Sequence, residues 1–278
     1  MSTKSNMSMR IAAIAVSILF SLVILYPIVF IMMVSLKNNK EFYTNIWGFP
    51  QVVRWNNYVY AWYEGQIQLY AGNSIIVTVS AVAISLLFSM LAGYALAKLH
   101  IPKSELIVSI LMGLNFIPGV AVYVPLYIQL IKFKLTKTLL MLIIPYAAWQ
   151  LPFSIYIFKK FYATIPSEIL ESARVDGSGE LRTFFTIITP LVTPAIATVI
   201  VFNFVSIWGE FLWANIASSS SNKIQTLPVG LLNFKGEYGI EWGPFGAAII
   251  TIIAPLFVVF VYSQKYFIQG LSAGAVKG

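Results

Sequence analysis

Six windows of this chain contain no Asp, Glu, Lys or Arg: residues 11–36, 65–97, 106–131, 138–158, 183–209 and 242–264. A helix crossing a bilayer needs about 20 predominantly apolar residues, so each window can hold one span. The fifth continues past Glu210 to residue 213. Composition agrees with the windows. Hydrophobic residues make up 59% of the chain and charged residues 10%, against roughly 45–50% and 25% in ordinary globular proteins. The mean hydropathy is +0.81. A soluble fold of this size would have too little polar surface to cover itself. The expected class is an all-α integral membrane protein of about six transmembrane helices.

The first window is too long for a secretory h-region of about 7–15 residues, and no small-x-small cleavage site follows it. It reads as an uncleaved helix, with Lys4 and Arg10 holding the N-terminus inside. An even number of spans then puts the C-terminus inside as well. Loop charges support this only weakly: of the 18 Lys and Arg, ten fall on the inner segments and eight on the outer.

Prolines 27, 118, 125, 145, 152, 190, 194 and 255 lie inside the windows. Each removes a helix hydrogen bond and bends the axis, which transporters exploit in broken, movable helices. The outer loop from Lys37 to Tyr70 is rich in Trp and Tyr, residues that favour the membrane interface. Asn73 and Ser74 offer side chains to cap the second helix.

Several chemistries are excluded. The net charge of +8 comes without a Lys/Arg cluster, so a nucleic-acid partner is not expected. There is no cysteine, and His100 is the one histidine, which leaves no metal site to build. No phosphate-cradling Gly-rich motif ending in Gly-Lys-Ser/Thr occurs. Among ionisable side chains only Glu210 sits at appreciable membrane depth, whereas a proton- or sodium-coupled carrier usually shows intramembrane carboxylates. If the chain is part of a pump, its energy comes from another subunit.

The link between the fourth and fifth windows is the most charged stretch of the chain, running from Ile165 through Ser167, Glu168, Glu171, Arg174, Asp176 and Gly177 to Glu180 and Arg182. Ser167 after Pro166 reads as an N-cap, and Glu168 and Glu171 suit the positive end of a helix. Ile169, Leu170 and Ala173 share one side at helical spacing. Asp176-Gly177 then stops the helix. The expectation is a short amphipathic helix, a sharp turn and re-entry into the membrane near Phe184. Arg174 is placed to pair with Glu171 at i, i+3. So short a helix is marginal alone, so its apolar side must pack on the chain's own helix ends or in a partner's groove.

The residues Glu171-Ser172-Ala173-x-x-Asp176-Gly177-Ser178, followed by Phe184, Ile187 and Pro190, resemble the EAA loop of bacterial ABC importer permeases, whose pattern is E-A-A-x-x-D-G-A-x5-F-x-x-I-x-L-P. Ser replaces Ala at 172 and 178, and Thr stands for Leu at 189. Three further stretches resemble the carbohydrate, maltose-type branch: Trp208 to Trp213, Thr226 to Leu231, and the ending from Gln264 to Gly278. The likeness covers nearly the whole chain. Glycerol-phosphate permeases share that ending, and an ATP-independent secondary transporter or a scaffold subunit without a path are the rivals from other classes.

The resemblance implies a type I importer permease fold in a bacterial or archaeal cytoplasmic membrane. Residues 1–10 form an inner tail, 11–268 the permease domain with a coupling loop over 165–182, and 269–278 a second inner tail. It implies coupling to an ATPase through Glu168, Glu171, Ala173, Asp176, Gly177 and Ser178, with Gly274, Ala275, Val276, Lys277 and Gly278 reaching the ATPases. The implied partners are a second permease subunit, two ATPase subunits that bind ATP and Mg2+, and an extracytoplasmic solute-binding protein. No cofactor is expected on this chain, and no catalytic residue. Sugars need planar hydrogen bonders and aromatic faces, and the spans offer Asn115, Tyr146, Trp149, Gln150, Asn203, Trp208 and Glu210 as path residues.

Overall fold

The computed structural model describes residues 2–236 and 239–275. In chain order the first helices are α1 (Ser2–Ser35), α2 (Asn39–Thr44), α3 (Asn56–Tyr63), α4 (Ile67–Lys98), α5 (Ser104–Gly113), α6 (Gly119–Lys132) and α7 (Leu140–Ala163). Then come α8 (Ser167–Val175), α9 (Glu180–Thr183), a π-helical turn over Phe184–Ile188, α10 (Thr189–Leu191), α11 (Thr193–Trp208), α12 (Leu212–Ala217) and α13 (Leu227–Gly230). A two-residue antiparallel ladder, β1 (Lys235–Gly236) with β2 (Gly239–Ile240), precedes α14 (Trp242–Ala275).

Four helices are long and apolar enough to cross a bilayer unbroken: α1, α4, α7 and α14. The third and fifth windows hold bent pairs. The helix over 104–116 meets α6 at 93°, and the helix over 180–191 meets α11 at 81°. Prolines mark both breaks. Ile117 adopts an extended conformation before Pro118, as a residue preceding proline prefers. Pro190 and Pro194 sit in the first turns of α10 and α11, where the missing N–H costs no hydrogen bond. Prolines 27, 125, 145, 152 and 255 lie within continuous helices.

α1 runs unbroken through residues 10 and 11, and α14 continues through 268 and 269. No element ends at either expected tail boundary. Of the expected tail contacts, Gly274 and Ala275 end α14, while Val276, Lys277 and Gly278 lie outside the described residues.

The chain divides into two compact units. The first comprises residues 1–68 and 230–255. Its organising residue is Lys37, which is 0% exposed. Lys37 Nζ donates to the carbonyls of Asn45 (2.7 Å), Ile46 (3.2 Å) and Gly48 (2.6 Å), so loop 45–48 closes around the ammonium. Asn57 Nδ2 donates to the carbonyls of Ser35 and Lys37, both at 2.8 Å, which satisfies acceptors that the end of α1 leaves open. Trp242 stacks on Phe42 at 4.6 Å. Here α14 passes so close to α1 that a Cβ on Gly246 would lie 2.9 Å from the Ser35 nitrogen.

The second unit comprises residues 69–229 and 256–278. One core gathers around the buried Trp213 and Tyr146, with Val77 and Ala81 of α4, Met141 and Leu142 of α7, and Val229. Trp213 Nε1 donates to the Met141 carbonyl at 3.2 Å, so the large indole is buried with its donor paired. A second core surrounds Tyr94, Phe158, Tyr162, Phe184 and Ile188. Asn73 and Ser74 do not cap α4. The helix starts six residues earlier, at Ile67, and both side chains hold the segment that docks beside it. Asn73 Nδ2 donates to the carbonyls of Lys223 (2.9 Å) and Gln225 (2.8 Å), and Ser74 Oγ accepts from Leu227 N (2.8 Å).

Candidate functional site

α8 is the short amphipathic helix that the charged link implies. Leu170 and Ala173 are buried and Ile169 is half-buried. Leu170 packs in the core that holds Tyr94, Tyr162, Ile165 and Phe184, so the apolar side is covered by the chain's own helices. Ser167 is the first helical residue rather than the N-cap. Pro166 holds that position, and no side chain caps the helix.

The C-terminus of α8 is closed by a Schellman turn. Ser178 N donates to the Ala173 carbonyl at 2.9 Å and Gly177 N to the Arg174 carbonyl at 3.0 Å, the paired bonds that end many helices. Gly177 adopts φ +73°, the left-handed conformation that only glycine enters freely. Thr183 Oγ1 then donates to Ser178 Oγ at 2.9 Å and ties α9 to the turn.

Arg174 does not pair with Glu171. Its Nε and Nη2 donate to Glu180 Oε1 at 3.0 and 2.8 Å. Glu180, six residues on, lies back across the turn and presents one oxygen to the planar guanidinium fork. That bond, with the charge of Glu180, holds the Arg174 guanidinium still further above its usual range. Glu180 Oε2 also accepts from Tyr94 Oη at 3.0 Å, and Lys98 Nζ donates to the Ile165 carbonyl at 2.5 Å. α8 is therefore fastened to α4 at its entry and beyond its exit. Beside it, Lys159 is buried at the end of α7 with its Nζ 2.8 Å from Glu105 Oε1, close but not aligned for a hydrogen bond.

The six expected coupling residues thus divide. Glu168, Glu171 and Asp176 are exposed. Gly177 shapes the turn, Ala173 faces inward and Ser178 holds Thr183. Two apolar residues that sequence reasoning did not single out stand out beside them, Val175 at 88% exposed and Leu181 at 69%. Glu180 was missed too. An acidic residue directly after Gly179 was its only signal. Between α8 and the chain after α4 lies a cavity of about 660 Å3 lined by Lys98, His100, Ser104, Ser167, Glu171 and Arg174 among others.

The expected path residues do not form one cluster. Tyr146 Oη donates to Glu210 Oε2 at 2.5 Å. Glu210 also accepts from Trp213 N (2.8 Å) and Ala214 N (3.0 Å), so it caps the start of α12. Asn203 is fully buried between Ser85 and Ser154, at 3.2–3.3 Å. Trp208 is buried and stacked on Phe204 at 5.3 Å. Gln150 Nε2 donates to Ser206 Oγ at 2.9 Å. Asn115 and Trp149 line a separate cleft of about 430 Å3 in the crook of the bent third span, together with Tyr123, which sequence reasoning missed.

The model of the family described as binding-protein-dependent transport system inner membrane component matches residues 85–273. The chain is 33% identical over 261 residues to the probable ABC transporter permease protein YurM of Bacillus subtilis, covering 94% of this chain and 86% of that one. It is 32% identical over 273 residues to the diacetylchitobiose uptake system permease protein NgcG of Streptomyces coelicolor, covering 96% and 90%. It is 30% identical over 275 residues to the trehalose/maltose transport system permease protein MalG of Thermococcus litoralis, covering 97% of each. A bacterial ABC transporter involved in the import of the acidic polysaccharide alginate contains a chain that superposes with a TM-score of 0.81 at 24% identity, covering 96% of this chain and 99% of that one. That likeness speaks for the fold, the type I importer permease architecture. The secondary-transporter reading falls away with these matches: the chain belongs to the binding-protein-dependent transport system inner membrane component family and is a multi-pass permease subunit of an ABC transport system.

Proposed function

We propose that this chain is one of two membrane subunits of an ATP-driven carbohydrate importer, coupled to cytoplasmic ATPases through α8. The observation that carries the coupling role is the division of labour on α8. Leu170 and Ala173 anchor it to the chain's own core, the Gly177 turn fixes its end, and Glu168, Glu171 and Val175 are left outward. The carbohydrate reading rests on relatives named for diacetylchitobiose and for trehalose and maltose. In this reading ATP and Mg2+ are bound by the partner ATPases, a solute-binding protein delivers substrate from outside, and both termini lie in the cytoplasm. The chain itself has no catalytic residue. Closure of the ATPase pair moves α8. Its ties through Arg174, Glu180 and Tyr94 pass that movement to α4 and α9, a two-state shift biased by ligand at both ends.

The test is purification of the tagged permease from its native membranes in mild detergent. A second permease and an ATPase are expected to co-elute. Glu171→Lys is expected to abolish ATPase recovery while leaving the permease and its membrane partner together, because it reverses charge on the outward face without touching the packed one. Flux in liposomes without any ATPase would overturn the reading, as would full ATPase recovery with the Lys variant.

A further inference from the structure

The cleft at the bent third span is built differently from the rest of the interior. Its floor is the break itself, Leu114 to Gly119, and its walls are α6 and α7. Tyr123 and Trp149 stand 5.7 Å apart, with ring planes inclined by 41°. Both are half-buried. Both rings also contact the fully buried Trp213, at 5.6 and 5.8 Å, so the three form one aromatic cluster whose two half-buried members, inclined as a V, line the cleft.

The polar atoms around this V are free. Elsewhere in this unit the indole of Trp213, the phenol of Tyr146 and the amide of Asn203 are all paired internally. Among the described residues, Trp149 Nε1, Tyr123 Oη and Asn115 Oδ1 make no hydrogen bond, and Asn115 Nδ2 makes only a long one of 3.3 Å to the Met112 carbonyl. The lining contains no Asp, Glu, Lys, Arg or His. The nearby Glu210 is committed to Tyr146, Trp213 and Ala214.

A volume of about 430 Å3 lies in the range of roughly 300–1,000 Å3 typical of small-molecule pockets, which pair apolar walls with a few placed polar groups. Two aromatic faces with an indole N–H, a phenol and an amide on their rim suit a ring with apolar C–H faces and hydroxyls at its edge. A carboxylate, sulfonate or phosphate entering this cleft would lose water and meet no cation, which is strongly unfavourable. We infer that the cleft formed by Asn115, Tyr123 and Trp149 is a contact site for a neutral sugar ring on its way through the importer. The inference rests on the carbohydrate reading above and narrows it, setting aside sugar acids and glycerol phosphate as cargo.

The experiment uses the intact importer with its partners in liposomes, energised by internal ATP. The probes are neutral cellobiose, melibiose, maltose and trehalose, and anionic digalacturonate and glycerol 3-phosphate. The wild type is expected to take up at least one neutral probe and neither anion. Asn115→Ala, which removes an exposed side chain with one weak bond, is expected to raise the KM for uptake about 3- to 10-fold, the cost of one lost hydrogen bond. Trp149→Phe keeps a stacking face and is expected to cost less than Trp149→Leu. Uptake of no saccharide at all would sink the carbohydrate reading itself. Uptake of a neutral sugar with an unchanged KM in both Asn115→Ala and Trp149→Leu would overturn this inference and leave that reading standing, and so would exclusive uptake of an anionic probe.

Discussion

A Gly177→Val permease is expected to assemble with its partners and to lose the stimulation of ATP hydrolysis by substrate-loaded binding protein. The reason lies in the backbone alone. A Cβ on Gly177 would meet no atom within 4 Å, so the substitution creates no clash. It does force a β-branched residue to φ +73°, a conformation that costs roughly 1–3 kcal/mol for a residue with a side chain. The turn relaxes to escape that cost. The bonds from Ser178 to Ala173 and from Gly177 to Arg174 go with it, and so does the geometry that lets Arg174 reach Glu180. α8 remains attached by Leu170 but no longer transmits force. Gly177→Asn is the control, because Asn enters the left-handed region readily. It should retain most of the stimulation. The comparison is read as binding-protein-stimulated ATP hydrolysis in proteoliposomes. Equal damage from Asn and Val would mean that the side chain obstructs a docking surface, and that the turn geometry is not what matters.

The charged helix-turn segment around α8 was legible because its cues are local. A proline, two acidic residues, an apolar stripe and an Asp-Gly stop lie within a dozen residues, and α8 follows them to within one position. Its N-cap was misread, since Pro166 already supplies the extended entry that Ser167 would have provided. The Arg174 partner was misread because helical spacing considers only i, i+3 and i+4 neighbours. The turn at Gly177 brings Glu180 back within 2.8 Å, and no periodicity encodes that. The spans show the complementary limit. Six uncharged windows report how much chain is compatible with hydrocarbon, which is an argument about solvation. They say nothing of axis direction, so the 93° and 81° breaks were invisible in them. Proline content pointed to bending without choosing the site. Pro145 and Pro152 sit inside one continuous helix, where Trp213 Nε1 donates to the Met141 carbonyl that Pro145 leaves free, whereas Pro118 stands at the N-cap of α6, just after the break.

Glu210 makes the sharpest separate test, because an acidic residue at membrane depth is a functional candidate by default and the structure gives it a structural occupation. Its carboxyl oxygens accept from Tyr146 Oη, Trp213 N and Ala214 N. Two of these donors are first-turn N–H groups of α12 that have no intrahelical acceptor, and the third belongs to a tyrosine that is 1% exposed. Glu210→Ala is expected to destabilise the permease by roughly 2–4 kcal/mol, combining a lost cap with an orphaned buried hydroxyl. The consequence is lower recovery from membranes and an earlier thermal unfolding transition in detergent. Glu210→Gln keeps one acceptor oxygen and should recover about half of that loss. The double variant Glu210→Ala, Tyr146→Phe removes the orphaned hydroxyl and should be more stable than Glu210→Ala alone, a non-additivity expected of groups in direct contact. A path residue would behave otherwise. Its removal would leave the unfolding transition in place and change only the KM for uptake, and the Tyr146→Phe change would rescue nothing. Sequence position cannot distinguish these roles, because the donors that claim Glu210 come from a helix three residues ahead and from a tyrosine 64 residues behind.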